Sequence, residues 1–465
     1  MSDLNPETIE EKKSQANVLP PDVAAPKKKH IAATKAFIGT FGTSVFIQGC
    51  GILHGIIVAR LLGPVGRGEY TAVMLWPMMF AGLGLFGSNI AIARASAKLD
   101  DHSSVLRAAI VLAFITSAIS ALVCFMALPW LMPQVESHLV ALGRLFVLVI
   151  PLNHLALNLI AVDQGSGNFK TFNFTRAILN SLYVIILLGL WVFGIREIRW
   201  FVVALLVGNL AAVIVRLFLA IRRYPIAGKL YSLASILKQS IHFGLAGIAQ
   251  PVYLQADKVL MLWLLGTKNL GLYMVALSAS AVIGSVTFSA GLVSFTIAAH
   301  ADKGDGFERL AKTFRISVLL WIFFGGILAL IMPLVLPLVY GNDFVDAVNP
   351  ARMLIVGSAF AGLANMLEQA MRGQGKAFIG LESRLAGLVI MVISGIILAK
   401  CFAIPGVCFA YIAGQLTCLF VIIRRTNKHY SVKTVASYMP RFCDVNYISN
   451  LFLPFTCKLF RTDLR

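Results

Sequence analysis

Stretches of roughly 20 mostly apolar residues recur along nearly the whole chain, separated by short loops that carry Gly, Pro, Lys or Arg. A helix rising about 1.5 Å per residue needs about 20 residues to cross a hydrocarbon layer about 30 Å thick. In lipid the backbone must satisfy its own N–H and C=O groups, which restricts spanning structures to helices and closed barrels, and apolar runs this long and continuous read as helices. Composition agrees: 58% of the residues are hydrophobic, 13% are charged, and the mean hydropathy is +0.82. The expected class is an all-α integral membrane protein.

Apolar runs and their flanks place spans near residues 36–59, 71–93, 108–132, 139–161, 177–195, 200–220, 241–265, 272–298, 315–339, 351–371, 383–399 and 404–423. About twelve spans put both termini on one side of the membrane. Among 40 Lys and Arg residues, Arg60, Arg67, Arg144, Arg196, Arg199, Lys268, Arg352 and Lys400 fall in odd-numbered loops, while Arg216 and Lys258 fall within spans. The rest lie in the termini and even-numbered loops, so the positive-inside rule predicts cytoplasmic termini. This asymmetry accounts for much of the +19 net charge without a nucleic-acid partner.

Residues 1–35 are polar and basic, include Lys27, Lys28 and Lys29, and lack the apolar core of a secretory signal. They are expected to form a disordered cytoplasmic tail beside anionic lipid headgroups. Residues 221–240 read as a cytoplasmic linker and 425–465 as a basic cytoplasmic tail, whose Leu451, Phe452, Leu453 and Phe455 suit a membrane surface. Seven cysteines without pattern argue against a disulfide framework or a zinc site; most read as small core residues.

The chain contains a repeat. Leu61-Leu62-Gly63, Gly68 and Tyr70 recur 203 residues later as Leu264-Leu265-Gly266, Gly271 and Tyr273. Gly165, Gly167 and Arg176 recur 208 residues later as Gly373, Gly375 and Arg384. Two correspondences at nearly one offset predict duplicated six-helix halves, 36–220 and 241–424, of parallel topology. Simple interfacial punctuation by Gly-x-Tyr is the competing explanation.

Ala59-Arg60-Leu61-Leu62-Gly63-Pro64, with Gly66-Arg67-Gly68-Glu69-Tyr70, resembles the first-loop signature of Wzx-type polysaccharide flippases. Asp257-Lys258-Val259-Leu260 through Leu265-Gly266 and Gly271-Leu272-Tyr273-Met274-Val275-Ala276 is similar to the seventh-span motif of the same superfamily, which also holds lipid II flippases and MATE-like multidrug exporters. Tyr340-Gly341-Asn342-Asp343-Phe344 is similar to its Tyr-Gly-x-x-Phe. The resemblance covers roughly residues 36–424. It implies two pseudo-symmetric six-helix bundles in a V around a cavity, and export of a lipid-linked oligosaccharide across a bacterial inner membrane without ATP hydrolysis.

Ionisable groups within spans cost roughly 2.5–3.5 kcal/mol on insertion scales and so identify candidate site residues. On a helical period Asp257 shares a face with His242, Ala246, Gln250 and Tyr253. Asp257 reads either as a site for a coupling cation, H+ or Na+, or as a structural pair. Ser358, Ala361, Asn365, Glu368 and Arg372 form a second stripe; Glu368 and Arg372 have ion-pair spacing, so Glu368 is either a local bridge or a protonatable coupling site. Ser44, Gln48, Gly51 and His54 share a face of the first span, and Pro151, His154 and Asn158 one of the fourth; a lone histidine there is more often a packing residue than a switch.

A cavity that accepts a lipid diphosphate should present fixed cations, preferably arginine. Arg60 and Arg94, which end spans one and two, are candidates by the resemblance, with interfacial snorkelling as the alternative for Arg60 and positive-inside bias for Arg94. The expected substrate-binding set is therefore Arg60, Arg94, His54, Gln48, Gln250, Tyr253 and Asn365, and the ion-coupling set Asp257 and Glu368.

The expected partners are a lipid-linked oligosaccharide, membrane lipids and, by association, glycan-polymerase machinery. Two other readings stand: an ion-coupled drug exporter of the same superfamily, and a membrane glycan polymerase, which would need a larger outer loop than any seen here. No phosphate loop, H-E-x-x-H or G-x-S-x-G occurs, so neither enzymatic chemistry nor a cofactor is expected.

Overall fold

The computed structural model describes residues 27–133, 135–225, 229–281, 291, 294, 303–432, 435–441 and 444, and among these the side chains from residue 39 onward except at 303–305 and 435. In chain order the helices are α1 (Lys27–Leu85), α2 (Ser88–Lys98), α3 (His102–Leu131), α4 (Ser137–Phe146), α5 (Val149–Gly165), α6 (Phe169–Val192), α7 (Ile198–Arg223), α8 (Leu233–Gly247), α9 (Ala249–Tyr253), α10 (Ala256–Ser280), α11 (Lys303–Tyr340), α12 (Val348–Gly373) and α13 (Phe378–Tyr430). Short 3-10 turns lie at Asn342–Ala347 and Val435–Tyr438, and no strand occurs among the described residues.

Nine stretches among the described residues are long and apolar enough to cross a membrane. The chain is a multi-pass membrane protein. Three of the stretches, Gly39–Leu85, Leu233–Ser280 and Phe378–Tyr430, have 47, 48 and 53 residues, about twice what one crossing requires. Each contains a residue at positive φ where the helix is broken: Gly63, Gly266 and Ala403. In α13 the two arms pack back on each other, since a Cβ at Gly406 would meet Leu398, one at Gly395 would meet Ala410, and one at Gly414 would meet Met391. In α10 the Tyr273 hydroxyl reaches back across Gly266 to Asp257, 2.7 Å away. Residues 282–290, within the expected eighth span, lie outside the described residues.

The repeat is written into the backbone. Gly63 and Gly266 adopt matching conformations, φ 66°, ψ −176° and φ 80°, ψ −178°. Gly167 and Gly375 close α5 and α12 at φ 73° and 71°. At those same ends the next amide bonds back in one pattern, Asn168 N to Asp163 O and Lys376 N to Met371 O. Side chains at these positions would be strained in the left-handed region, which is why glycine stands there in both halves.

Reciprocal contacts relate the halves by an approximate two-fold. A Cβ on Gly68 would strike the Thr267 carbonyl oxygen, and one on Gly271 would strike that of Pro64, the position equivalent to Thr267. A contact of residue i with j′ matched by i′ with j is the signature of a two-fold interface. The pattern extends outward along the same seam. Arg60 Nε donates to Val339 O at 2.7 Å and its terminal nitrogen to Leu338 O, capping the end of α11. Trp263, the equivalent of Arg60, donates Nε1–H to Leu131 O at 3.0 Å, at the end of α3. These groups satisfy helix-terminal carbonyls that have no intrahelical partner.

Helix ends differ from the expected boundaries. The first helix begins at Lys27, within the segment expected to be a tail; α7 runs to Arg223 and α8 starts at Leu233, which shortens the expected linker; α13 continues to Tyr430. The expected surface segment around Leu451–Phe455 lies outside the described residues. Beyond α13 the chain packs against α11: Arg315 Nε donates to Asp444 Oδ2 at 2.7 Å with both side chains buried, and Tyr438 lies edge-on to Phe314 with centroids 5.0 Å apart.

Burial of Asp444 opposes its charge, but hydrogen bonds from Arg315 and the Arg441 amide outweigh that cost and hold its carboxyl below the ordinary value. A depressed folded-state pKa gives stability that is complete above the unfolded carboxylate value, about 3.9, and is lost as pH falls through the folded one. Unfolding midpoints measured down from neutral pH should therefore fall at the acid end, and Asp444→Asn should lower the neutral value and flatten that acid limb. Gly68→Ala and Gly271→Ala should each destabilise by about 1–3 kcal/mol through overpacking, read as a lower unfolding midpoint in detergent. Gly49→Ala, whose Cβ would meet nothing within 4 Å, is the control and should leave it unchanged or higher.

Candidate functional site

The seventh expected span is not one helix. Pro251 cannot donate to the ladder, and the chain passes from α8 through the short α9 to a new helix at Ala256. This break decides which polar residues face inward. Gln250 and Tyr253, on α9, line a cavity of about 310 Å³ between α9, α10, α12 and α13, whereas Asp257, in the first turn of α10, is not among its lining residues. A helical count carried unbroken from His242 to Asp257 therefore joins side chains that the fold separates. His242 stacks edge-on to Phe243 and Phe378 instead.

The stripe on α12 keeps its period, and Ser358, Ala361, Asn365 and Glu368 all line the cavity. Glu368 is its electrostatic centre. Its Oε1 accepts from Arg372 at 2.5 Å, one helical turn away, and its Oε2 accepts from Arg384 at 2.6 Å, from α13. The i,i+4 bridge forms, and a second guanidinium joins it. Gly380 makes room, because a Cβ there would lie 2.8 Å from the Glu368 carboxylate. Two arginines against one carboxylate leave the cluster with a net positive charge.

Arg384 faces the cavity with its side chain 11% exposed and stands over the Tyr253 ring at 5.6 Å. The Tyr253 hydroxyl donates to Gln415 Oε1 at 2.8 Å. Gln250 accepts from Arg372 at 3.4 Å, so the wall presents amides, a phenol and guanidinium together.

Two further cavities adjoin. One of about 340 Å³ lies where α1 and α2 of the first half meet α8 and α9 of the second, sharing Gln250 and Leu254 with the cavity just described. Another, of about 290 Å³, lies in the first half and shares Asn89 and Ile90 with the middle one. Its wall includes Arg176, the repeat equivalent of Arg384, which lies 5.1 Å over Phe172 and donates to Ser44 Oγ at 3.3 Å. An arginine thus stands at each end of a row of cavities crossing the molecule.

The other expected residues lie elsewhere. Arg60 is engaged with the end of α11, Arg94 is exposed beside Phe243, and His54 stacks on Tyr183 with centroids 5.5 Å apart. Gln48 is half-buried and lines none of the three cavities. Asp257 is 3% exposed and accepts from Tyr273; Lys258 turns away to Leu254 O and Gln255 Oε1 at 2.8 Å. His154 is held by Thr116 Oγ1 at 2.9 Å and Ala81 O at 3.0 Å, the environment of a packing residue. Sequence reasoning singled out neither Arg384 nor Arg176 as cationic site residues, although their common offset was the available signal. No group of three or more potential metal ligands occurs among the described residues.

The family model for polysaccharide biosynthesis proteins matches residues 34–295, more than half of the chain. The chain belongs to that family. No curated protein sequence matches it. Among solved structures, the lipid II flippase MurJ in an inward closed conformation aligns with a TM-score of 0.68 at 13% identity, covering 91% of this chain and 99% of that one. An inward-facing multidrug resistance MATE family transporter of the MOP superfamily aligns at 0.64 and 14% identity, covering 82% and 94%. A MOP superfamily transporter from Pyrococcus furiosus aligns at 0.55 and 14% identity, covering 86% and 95%. This member of the polysaccharide biosynthesis family therefore has the fold shared by MATE transporters and MurJ.

Removing one partner of a buried charge cluster strands the others. Glu368→Gln should destabilise the protein by about 3 kcal/mol, because two guanidinium groups would then face each other without a counter-charge. Arg372→Gln, at the more exposed member, should cost clearly less. Unfolding midpoints of the two purified variants check the ordering.

Proposed function

We propose that this protein flips a lipid-linked oligosaccharide, carried on a polyprenyl diphosphate, from the cytoplasmic to the outer leaflet by alternating access of its two halves. The observation that carries this reading is the net positive Glu368–Arg372–Arg384 cluster, whose Glu368 and Arg384 line a cavity that also presents the amides of Gln250, Asn365 and Gln415 and the phenols of Tyr253 and Tyr411 among small and apolar side chains. A guanidinium grips phosphate oxygens in pairs, and Asn, Gln and Tyr match sugar hydroxyls. In a poorly solvated cavity that charge selects anions strongly. Membership in a polysaccharide biosynthesis family supports the same substrate class.

Arg176 and Arg384 extend the reading to both halves. A headgroup could pass between them as the halves rock about the seam at Gly68 and Gly271, while its lipid tail remains in the bilayer. Arg60 takes a different part here, holding the end of α11. Both oxygens of Glu368 are engaged by arginines, which leaves the buried Asp257 as the better candidate for a coupling cation. That feature favours the second reading, an ion-coupled exporter on the same fold, whose cavity would select cations instead.

Arg384→Gln should abolish or strongly reduce surface glycan while membrane levels of the protein stay unchanged, with lipid-linked units accumulating in the inner leaflet. Normal glycan export in this variant, or accumulation of short units in the outer leaflet, would rule the flippase reading out.

A further inference from the structure

Three arginines among the described residues have side chains that are almost completely buried, and two of them are satisfied. Arg216 donates from Nε to Thr175 O at 2.9 Å, and Arg315 pairs with Asp444. Arg67 is different. It is 5% exposed, its Nε is buried without a hydrogen-bond partner, and it takes part in no ion pair among the described residues. A guanidinium cannot lose its proton in a protein, so it cannot escape the cost of burial by becoming neutral.

Its surroundings are rich in donors. The guanidinium lies 5.8 Å over the Tyr70 ring, and the Tyr70 hydroxyl is 2.5 Å from that of Tyr183, whose ring meets His54. Tyr340 of the second half belongs to the same buried cluster as Tyr70 and Tyr183 and follows directly on Val339, whose carbonyl Arg60 caps. The Tyr70 and Tyr183 hydroxyls bond each other, which leaves one O–H proton free between them, Tyr340 offers another, and none of these groups carries a fixed negative charge. The cation–π contact with Tyr70 offsets only part of the desolvation cost. Two motifs whose chemistry the cavity row does not use, Gly66-Arg67-Gly68 and Tyr340-Gly341, are thereby brought to one place at the seam.

We propose that Arg67, with the one hydroxyl proton left free by the Tyr70–Tyr183 pair and the hydroxyl of Tyr340, binds a small monovalent anion, chloride under ordinary conditions, at the junction of the two halves. The three tyrosines are each 3–4% exposed, which sets the position apart from bulk water, and a single guanidinium without a counter-charge matches one negative charge. A bound anion supplies the missing acceptor and joins Arg67 of the first half to Tyr340 of the second. It thus stabilises the closed seam next to the Gly68 and Gly271 crossing. The site is separate from the cavity row and does not rest on the substrate reading.

Full-length protein purified in detergent would be unfolded thermally at constant ionic strength while chloride is replaced stepwise by gluconate. Wild type should show a saturable rise in unfolding midpoint with chloride, reproduced by bromide, as expected of an ion that binds only the folded state. Arg67→Met should lose that response, and Tyr340→Phe, which keeps the charge, should weaken apparent chloride affinity several-fold. Should Arg67→Met not fold, the Tyr340→Phe titration decides. Equal midpoints in chloride and gluconate, an unchanged response in Arg67→Met, an unchanged affinity in Tyr340→Phe, or stronger stabilisation by inorganic phosphate than by chloride would each overturn the proposal.

Discussion

Where Gly68 meets Gly271, two helices from opposite halves approach so closely that neither position has space for a methyl group. Without a hydrophobic drive between helices in lipid, such close packing of small residues is what holds segments together. Because the crossing sits on the pseudo-two-fold, it sets the register of everything beside it. Arg60 reaches the end of α11 and Trp263 the end of α3 as paired consequences of this one contact. The same register leaves Arg176 and Arg384 at opposite ends of the cavity row.

Equivalent positions of the repeat carry different chemistry in the two halves. His54 and Asp257 occupy one such position, as do Tyr70 and Tyr273. In the first half the tyrosine hydroxyl meets Tyr183, beside the cationic Arg67; in the second it donates to the carboxylate of Asp257. The position equivalent to Arg67 is Leu270, which is fully buried. The first half thus places a guanidinium at the seam and the second a buried carboxyl group a helical arm away.

Polar residues in the spans divide by how completely the protein satisfies them. Where the partner is local, as for His154 or Arg216, the group serves packing, since an unsatisfied donor in a low-dielectric interior is costly. Where charges are unequal, as in the Glu368 cluster, the surplus faces a cavity. This imbalance sets the Glu368 cluster apart from the satisfied groups.

Much of this was legible in the residues themselves. Apolar length dictates helices in lipid, and the 203-residue offset announces the repeated reversals at Gly63 and Gly266, because a side chain is strained in their backbone conformation. The Ser358 to Glu368 stripe was readable because α12 is unbroken and its 3.6-residue period persists. The stripe through Asp257 failed because Pro251 and the gap before Ala256 reset the helix, and a phase cannot be carried across such a break. Where each arginine lies was decided only in three dimensions. Arg60 and Trp263 are spent on carbonyls, Arg372 and Arg384 converge on one carboxylate, and Arg67 is buried over the Tyr70 ring. Those outcomes depend on distances between segments far apart in the chain, which no local pattern encodes.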